Sequence, residues 1–424
     1  MLMGLSQTRM AWLLLIALLM CGCSFPEDHL KEEAPDRPCA DTAFEVGLWV
    51  QAEGTNRTLD SPEKIRALVK RARAAGVTDI YAQVYRSGRS WFRTSLADDA
   101  PARRFGQEPL TLLLDLTSQG QGNECPIRIH GWINVYALAN NKDAPVIQEL
   151  GEEAVLRDQY GYSLLDYPTS GAPEWTKGFG PDTRGIFLDP GNPDVRQRII
   201  DLAAQLVSDY PRLAGVHLDY IRYPYGVFLS PGSRLSSRLN FGYNEGSVSR
   251  FEQASGRTAP RAEAQVTDTD VAAWDDWRRA QVTAAVRGVY EAGKRIREDV
   301  VVSAAVLAWD KRAYGSTFQD WRTWSEEGFL DKAVVMNYTE DERLAAQVNR
   351  SALASKRLKG GNEAHRGEVV IGLGAYKFTD QPAGLWRQWN AAKEAGADGV
   401  ALFSYDQMVD NDAMWTFPES HGQD

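Results

Sequence analysis

The sequence predicts a single (β/α)8 TIM barrel with long loops after the third and fourth strands. Eight strand-like segments occur between residues 46 and 405, and helical or loop segments separate them. Strands that alternate with helices are typical of a parallel sheet. Eight such strands in roughly 360 residues fit one barrel with insertions. An open doubly wound sheet is the alternative, but no glycine-rich phosphate turn follows the first strand.

The predicted elements follow from local patterns. Ser61 and Pro62 begin a helix, because serine caps a first turn and proline suits its first position. Residues 139–193 and 225–270 are the two long excursions, and loops of that length tend to be functional. The predicted strands cover residues 46–51, 77–85, 127–138, 215–224, 300–309, 333–338, 369–376 and 399–405. The predicted helices cover residues 61–76, 110–116, 193–210, 274–297, 318–327, 343–358 and 382–395.

The fourth strand carries the densest set of functional side chains. Residues 215–224 read Gly-Val-His-Leu-Asp-Tyr-Ile-Arg-Tyr-Pro, and their apolar and polar positions alternate as strand faces do. Pro224 is predicted to end the strand, because proline cannot donate to a sheet ladder. An acid, an arginine and two tyrosines therefore gather at a carboxyl-terminal strand end, where barrels place their sites.

The amino terminus reads as an export signal. Arg9 precedes the apolar segment 11–20, which is too short to span a bilayer. The small residue before Cys23 resembles a bacterial lipobox, so residues 1–23 are predicted to be a lipoprotein signal peptide with Cys23 as the lipidated residue. Lipidation at Cys21 and ordinary cleavage to a secreted protein are the alternatives. Residues 24–43 have the composition of a flexible tether, and residues 44–424 form the predicted catalytic domain.

Location in the cell envelope follows from this signal. We expect a lipid-anchored protein, on the outer membrane and facing the periplasm, or a secreted protein if it is not lipidated. In that oxidising compartment Cys39 and Cys125 are candidates for a disulfide, with two free thiols as the alternative.

Composition restricts the partners. The net charge of −10, without a long basic run, argues against nucleic acid as a main partner. Thirteen Trp, 16 Tyr and 14 Phe supply flat faces that suit sugar rings, although most of them will belong to the core. Reading the strand ends in turn gives carboxylates, amides and aromatics, which suit a polyhydroxylated ligand.

Other chemistries find little support in the sequence. His130, His217 and His365 form no close pair, so no metal site is predicted, and no cofactor is expected. A Gly-x-Ser-x-Gly elbow is missing as well. What remains is carboxylate catalysis, and glycoside hydrolysis needs only two carboxylates.

The strand signature at 215–224 resembles that of the glycosyl-hydrolase-like 10 family. The resemblance extends over most of residues 44 to 408, and it includes the segments 189–196, 276–279, 319–321 and 336–338. It implies a bacterial (β/α)8 envelope lipoprotein, and some relatives cleave peptidoglycan glycan strands that lack stem peptides. Many members have a second acid where this chain has Tyr220, so the resemblance supplies no acid pair there.

Catalytic and substrate-binding roles are predicted from the chemistry and strand positions of the residues, together with the family resemblance. Asp219 is the predicted nucleophile or transition-state stabiliser, kept ionised by Arg222 or His217; alternatively it only forms a salt bridge with Arg222. Glu340 is the leading candidate for the general acid by analogy with other barrels, although residues 340–342 also read as an acidic helix start. The rival acids are Asp310 and Asp406. The predicted substrate-binding residues are Gln83, Asn134, His217, Arg222, Trp309, Asn337, Tyr338 and Tyr376.

The function predicted from these observations is hydrolysis of a cell-envelope glycan, with peptidoglycan glycan strands as the candidate substrate. A non-catalytic glycan-binding lipoprotein that has kept the barrel is the alternative. A metal-dependent deacetylase is a third reading.

Overall fold

The computed structural model describes residues 44–104, 106–118, 126–167, 185–225, 240–261, 267–357 and 367–418. The predicted signal peptide, the tether, Cys23, Cys39 and Cys125 lie outside these ranges. Among the helices within them, none combines the length and apolarity needed to cross a membrane.

Eight parallel strands close into a barrel, which confirms the predicted fold class. Each strand pairs with its sequence neighbours, and β1 pairs with both β2 and β8 to complete the circle. A two-residue strand, Arg89–Ser90, turns back antiparallel onto the end of β2. The barrel strands are β1 (Glu45–Val50), β2 (Asp79–Arg86), β3 (Arg128–Asn134), β4 (Gly215–Asp219), β5 (Val301–Leu307), β6 (Lys332–Asn337), β7 (Glu368–Gly374) and β8 (Gly399–Phe403).

A helix follows each strand and packs its apolar face on the outside of the barrel. The barrel helices are α1 (Pro62–Ala74), α2 (Pro109–Ser118), α3 (Pro193–Asp209), α4 (Asp268–Ile296), α5 (Trp321–Glu326), α6 (Glu342–Arg357), α7 (Pro382–Glu394) and α8 (Tyr405–Met408). Further short helices lie in the loops at Ala100–Arg103, Pro145–Leu150, Glu245–Ser255 and Asp310–Arg312, with single turns at Thr58–Asp60, Glu152–Ala154, Leu164–Asp166, Ala313–Thr317, Ala375–Lys377 and Asp412–Trp415.

Helix ends follow the expected capping chemistry. The Ser61 hydroxyl accepts a hydrogen bond from the amide of Lys64, with Pro62 at the first helical position. Thr267 and Asp270 form a reciprocal capping box, so α4 begins at Asp268, six residues before the predicted start.

Two predicted strands end four or more residues earlier than expected. Tyr220 has a φ of 51°, a value uncommon for a residue with a side chain, so β4 ends at Asp219 rather than at Pro224. The chain leaves β3 after Asn134, because Ala137 bridges to Phe187 in the following excursion instead of to the barrel. Both turns lie on the carboxyl-terminal side of the barrel, which we call the mouth.

The excursion after β4 is fastened to α4 by a buried arginine. Arg278 is 1% exposed and donates to the carbonyl of Phe241 at 2.6 Å and to Asp275 at 2.6 Å. Its guanidinium carbon lies 4.2 Å from the ring centroid of Phe318. The arginine in the segment 276–279 therefore has a clear structural role, which is to hold the loop that follows β4.

The amino-terminal end of the barrel, which we call the floor, holds a buried network of charges. Lys332 forms an ion pair with Glu45 and lies 4.0 Å from Asp79, and all three side chains are at most 4% exposed. Asp79 also binds Arg128 at 2.7 Å and the Nε2 of His130 at 2.8 Å. Each charge in this network therefore has an opposite charge or a hydrogen-bonding group beside it.

The pKa values at the floor follow from these contacts. Burial raises the pKa of Glu45 to about 7, with the charge of Asp79 acting in the same direction and Lys332 against it. Burial alone would raise the pKa of Asp79 too, but the hydrogen bond and charge of His130 and the charge of Lys332 lower it. Burial lowers the pKa of His130. The floor thus keeps an ionised aspartate deep inside the barrel by surrounding it with partners.

A belt of rings separates the floor from the mouth. The indole of Trp49 donates to Nε2 of His217 at 3.1 Å, and Nδ1 of His217 lies 2.9 Å from the hydroxyl of Ser303. Burial, together with the charges of His130 and Lys332, lowers the pKa of His217 well below its usual value. His217 is therefore neutral, and since Nε2 accepts from Trp49, Nδ1 carries the proton and donates it to Ser303.

Candidate active site

Asp219 is the carboxylate at the centre of the barrel mouth. It is the last residue of β4, and its two oxygens accept different hydrogen bonds. Oδ1 accepts from the amide of Tyr220 at 2.7 Å, and Oδ2 accepts from the indole of Trp132 at 3.2 Å. The unusual backbone turn at Tyr220 places that amide against the carboxylate, so the conformation at the strand end also shapes the site.

Burial dominates the titration of Asp219. Burial raises the pKa to about 6. Four neighbours lower it in part: the Tyr220 amide, the charge of Arg222, the Trp132 indole and the charge of Arg86. Two expectations about this residue are therefore wrong. His217 does not hold it ionised, because the ring nitrogens of His217 are committed to Trp49 and Ser303. Arg222 lowers the pKa through space, yet it forms no salt bridge with Asp219, so the purely structural role proposed for Asp219 loses its basis.

Two predicted amides line the mouth beside Asp219. Asn134 is paired in register with Asp219 on the neighbouring strand, and its Oδ1 accepts from Nε2 of Gln83 at 3.2 Å. The Oε1 of Gln83 accepts from the amide of Ala52 at 3.2 Å. Gln83 therefore fixes the orientation of Asn134, and both amides stay predicted binders of substrate hydroxyls.

On this side of the mouth, Arg86 interacts with two acids, Glu53 and Asp219. Arg86 pairs with Glu53 at 3.2 Å, and Glu53 also pairs with Arg89 at 3.1 Å. The charge of Arg86 also lowers the pKa of Asp219. Arg86 therefore interacts both with Glu53, which follows β1, and with Asp219 at the end of β4. Arg86 is absent from the residues predicted from sequence, since it lies beyond the polar positions that the strand pattern marks.

Aromatic rings form the opposite wall. Tyr338 stacks on Phe403 with centroids 5.4 Å apart, and it meets Tyr376 edge to face at 6.0 Å. Trp132 meets Phe403 at 6.4 Å. Tyr338 lies close enough to Asp219 that burial and the carboxylate charge together raise its pKa well above its usual value. The predicted aromatic residues Tyr338 and Tyr376 are thus part of one wall that faces the carboxylate.

Glu340 lies at the edge of this wall. Its side chain is 66% exposed and pairs with Lys377 at 3.5 Å. The ammonium of Lys377 lies 5.3 Å from the ring centroid of Tyr376. Glu340 is therefore linked to the mouth through Lys377 and Tyr376, and it stays a predicted second carboxylate.

The two rival acids have other partners. Asp310 pairs with Arg322 at 2.9 Å and lines a pocket of about 210 Å³ beside α5. Asp406 accepts from the amide of Asn56 at 2.7 Å, and its carboxylate packs so tightly on Gly54 that a Cβ there would lie 2.2 Å from Oδ1. These contacts favour a structural role for both acids, because each carboxylate holds a neighbouring loop or helix.

Three predicted binding residues have side chains that are engaged elsewhere. The amide nitrogen of Asn337 donates to the carbonyl of Ala345 and to Asn349, both at 3.0 Å, so it holds β6 against α6. Trp309 is partly buried against the main core. His217 is completely buried within the ring belt. A strand-end position predicts nearness to the mouth, but it does not predict which way a side chain turns.

Trp132 and Phe403 were not predicted as site residues, although a signal was present for Trp132. It shares a strand face with Asn134, so the period-of-two pattern already places both inside the barrel. Within the described ranges, no group of three or more His, Cys, Asp or Glu side chains is arranged to hold a metal ion.

Named relatives match most of the length of this chain. Glycosyl hydrolase DigH from Escherichia coli K12 is 25% identical over 429 residues, covering 91% of this chain and 86% of the relative. DigH from Shigella flexneri matches with the same identity and coverage.

Solved structures show the same fold. The glycoside hydrolase domain of PgaB (BpsB) from Bordetella bronchiseptica superposes with a TM-score of 0.58 at 13% identity, over 87% of this chain and 97% of that domain. The catalytic domain of a β-amylase from Paenibacillus polymyxa has a TM-score of 0.56 at 12% identity, over 88% and 95% of the two chains. At the level of sequence, the model of the family described as "Glycosyl hydrolase-like 10" matches residues 46–390. The resemblance predicted from the strand signature is confirmed, and the chain belongs to the glycosyl hydrolase-like 10 family.

Proposed function

We propose that this protein hydrolyses a glycan of the cell envelope, with peptidoglycan glycan strands as the substrate. The observation that carries the proposal is the mouth itself, where a partly exposed carboxylate with a pKa raised to about 6 lies beside a wall of aromatic rings. Aromatic faces suit sugar rings, and a carboxyl group of raised pKa suits proton transfer to a glycosidic oxygen.

Asp219 serves as the proton donor in this proposal, rather than as the nucleophile expected from sequence. Burial raises the pKa of Asp219 to about 6, and this higher proton affinity suits a general acid better than a nucleophile, which acts in its ionised form. The Trp132 indole and the Tyr220 amide then stabilise the carboxylate that remains after the proton has left.

Glu340 is the proposed second carboxylate, which attacks the sugar or activates a water. Its exposure at the rim and its link to the aromatic wall through Lys377 support that choice over Asp310 and Asp406. Amides of Asn134 and Gln83 bind substrate hydroxyls on the other side of the mouth.

Turnover of purified glycan strands tests the proposal. Asp219→Asn keeps the size of the side chain and an oxygen that can accept one of its two hydrogen bonds, but it cannot transfer a proton. We expect the wild type to release shorter glycans, and Asp219→Asn to lose about 10²- to 10⁴-fold in kcat/KM, the usual contribution of general acid catalysis. Circular dichroism checks that the variant is folded. Cleavage at the wild-type rate by Asp219→Asn would remove this residue from the mechanism.

A glycan-binding protein without turnover is the second candidate. The structural partners of Asp310 and Asp406 favour it, because they leave fewer acids for a second role. It predicts that wild type and Asp219→Asn retain strands equally in a pelleting assay, while neither releases products.

We also propose that the mature protein is anchored in the envelope through lipid on Cys23, with Cys39 joined to Cys125. Mass spectrometry of the purified native protein tests both modifications, with Cys23→Ala as the control for the lipid. A mature chain that carries no lipid, or free thiols at Cys39 and Cys125, would contradict the corresponding part.

A further inference from the structure

Two arginines share one aromatic ring at the edge of the mouth. The guanidinium carbon of Arg222 lies 4.7 Å from the ring centroid of Tyr225, and that of Arg312 lies 4.8 Å from the same centroid. Arg222 also lies 5.0 Å from the centroid of Tyr220, the residue next to Asp219. Positive charge is therefore concentrated directly beside the proposed proton donor.

Neither guanidinium is neutralised by a carboxylate of the described residues. Arg222 is only 7% exposed, and the one hydrogen bond that it makes to the described part of the chain runs to the carbonyl of Tyr223 at 3.1 Å. Arg312 is exposed and forms no ion pair with a described residue. A guanidinium carries five N–H donors, so most of the donors of Arg222 are available to a ligand.

This arrangement of charges costs free energy. Two like charges against one ring repel each other, and a buried cation without a counterion loses hydration. The tyrosine faces offset part of that cost through cation–π attraction, but they do not cancel the charge. An anion that reached both groups would remove the repulsion and satisfy the remaining donors.

We propose that Arg222 and Arg312 form a subsite for an anionic substituent of the glycan, a carboxylate or a phosphate, on a sugar next to the cleaved bond. Planar guanidinium groups bind both anions in a bidentate manner. The subsite rests on the proposed function, because the anion is carried by the glycan whose bond Asp219 protonates. The charge of Arg222 already acts on Asp219, which places the subsite beside the reacting atoms.

Paired substrates test the subsite. Glycan strands that lack stem peptides carry free carboxylates, and chemical reduction turns these carboxylates into alcohols without breaking the strand. We expect the wild-type KM to be about tenfold higher for reduced strands, the usual size of one charge-assisted hydrogen-bonded contact. Arg312→Gln should raise the KM about tenfold for native strands and leave that for reduced strands unchanged, with kcat preserved in both cases.

Arg343→Gln is the matched control, since Arg343 is an exposed arginine on α6. Inhibition by inorganic phosphate and by acetate, at equal ionic strength, shows which anion the subsite prefers.

Equal KM values of the wild type for native and reduced strands would overturn the subsite, and so would an equal effect of Arg312→Gln on both substrates. If the wild type cleaves neither substrate, the proposed function fails. In that case binding of the same strands to the wild type and to Arg312→Gln, followed by tryptophan fluorescence, decides the subsite alone.

Discussion

The floor and the mouth of this barrel handle buried charge in different ways. At the floor, Asp79 stays ionised because Lys332, Arg128 and His130 surround it. At the mouth, Asp219 has two neutral donors and more distant arginines, and burial raises its pKa to about 6. A fully paired acid stays ionised to low pH, whereas a partly paired acid holds its proton to a higher pH. Partners, rather than depth in the barrel, therefore decide whether a carboxyl group is held ionised or has a raised pKa.

The largest expected effect comes from removing the central cation of the floor. Lys332→Met leaves Glu45 and Asp79 buried without their shared partner, so we expect the free energy of unfolding to fall by about 3–5 kcal/mol. Urea denaturation followed by tryptophan fluorescence measures this loss. Lys294→Met removes a half-exposed partner of Asp331 and should cost at most about 1 kcal/mol. If the two variants lost equal stability, the floor would have no special role in holding the fold.

The pH dependence of catalysis is the next test, and it concerns the mouth. If Asp219 donates a proton, only its protonated form is active, so kcat/KM should fall about tenfold per pH unit above the pKa of about 6. A nucleophilic Asp219 would give the opposite limb, with activity lost below that pKa. Initial rates on soluble glycan fragments between pH 4 and pH 9 separate the two roles.

A smaller effect is expected from one hydrogen bond. Trp132→Phe removes the donor to Oδ2 of Asp219, which stabilises the ionised form, so the pKa should rise further. We expect the descending limb of the pH profile to move up by about one unit, which corresponds to roughly 1.4 kcal/mol. Trp91→Phe is the matched control, because Trp91 donates to Asp60 at 2.9 Å instead. A profile that stays in place would show that the indole does not tune Asp219.

The smallest effect is expected at Asp406. Asp406→Asn retains an oxygen that can accept from the amide of Asn56, so kcat/KM should stay within about twofold of the wild type. Glu340→Gln, in contrast, should lower kcat/KM strongly under the proposed mechanism. A hundredfold loss in Asp406→Asn, with Glu340→Gln fully active, would exchange the roles of these two acids.

The sequence predicted the fold and the position of Asp219 at the end of a barrel strand, because both depend on periodic patterns. Alternation marks the inner faces of β3 and β4, and it places Trp132 and Asp219 inside the barrel. The chain direction after β4 could not be read in this way, because it depends on the positive φ of Tyr220. Asn337 shows a second limit, since its amide turns to α6 although the residue ends a strand. Ion pairs such as that between Glu53 and Arg86 join segments that are distant in the chain, and a single sequence does not show which charged residues pair.

The hydrogen bonds that join Trp49, His217 and Ser303 restrict the path by which a proton could leave Asp219. The indole of Trp49 donates to His217, and His217 in its neutral form donates to Ser303, so each ring already has its proton committed. His217 cannot easily take up another proton, because burial and the charges of His130 and Lys332 oppose a positive charge there. A proton that leaves Asp219 therefore exchanges with substrate and solvent at the mouth, not along the barrel axis. Under the proposed mechanism, Asp219 regains its proton after each turnover only when water re-enters the site once the product has gone.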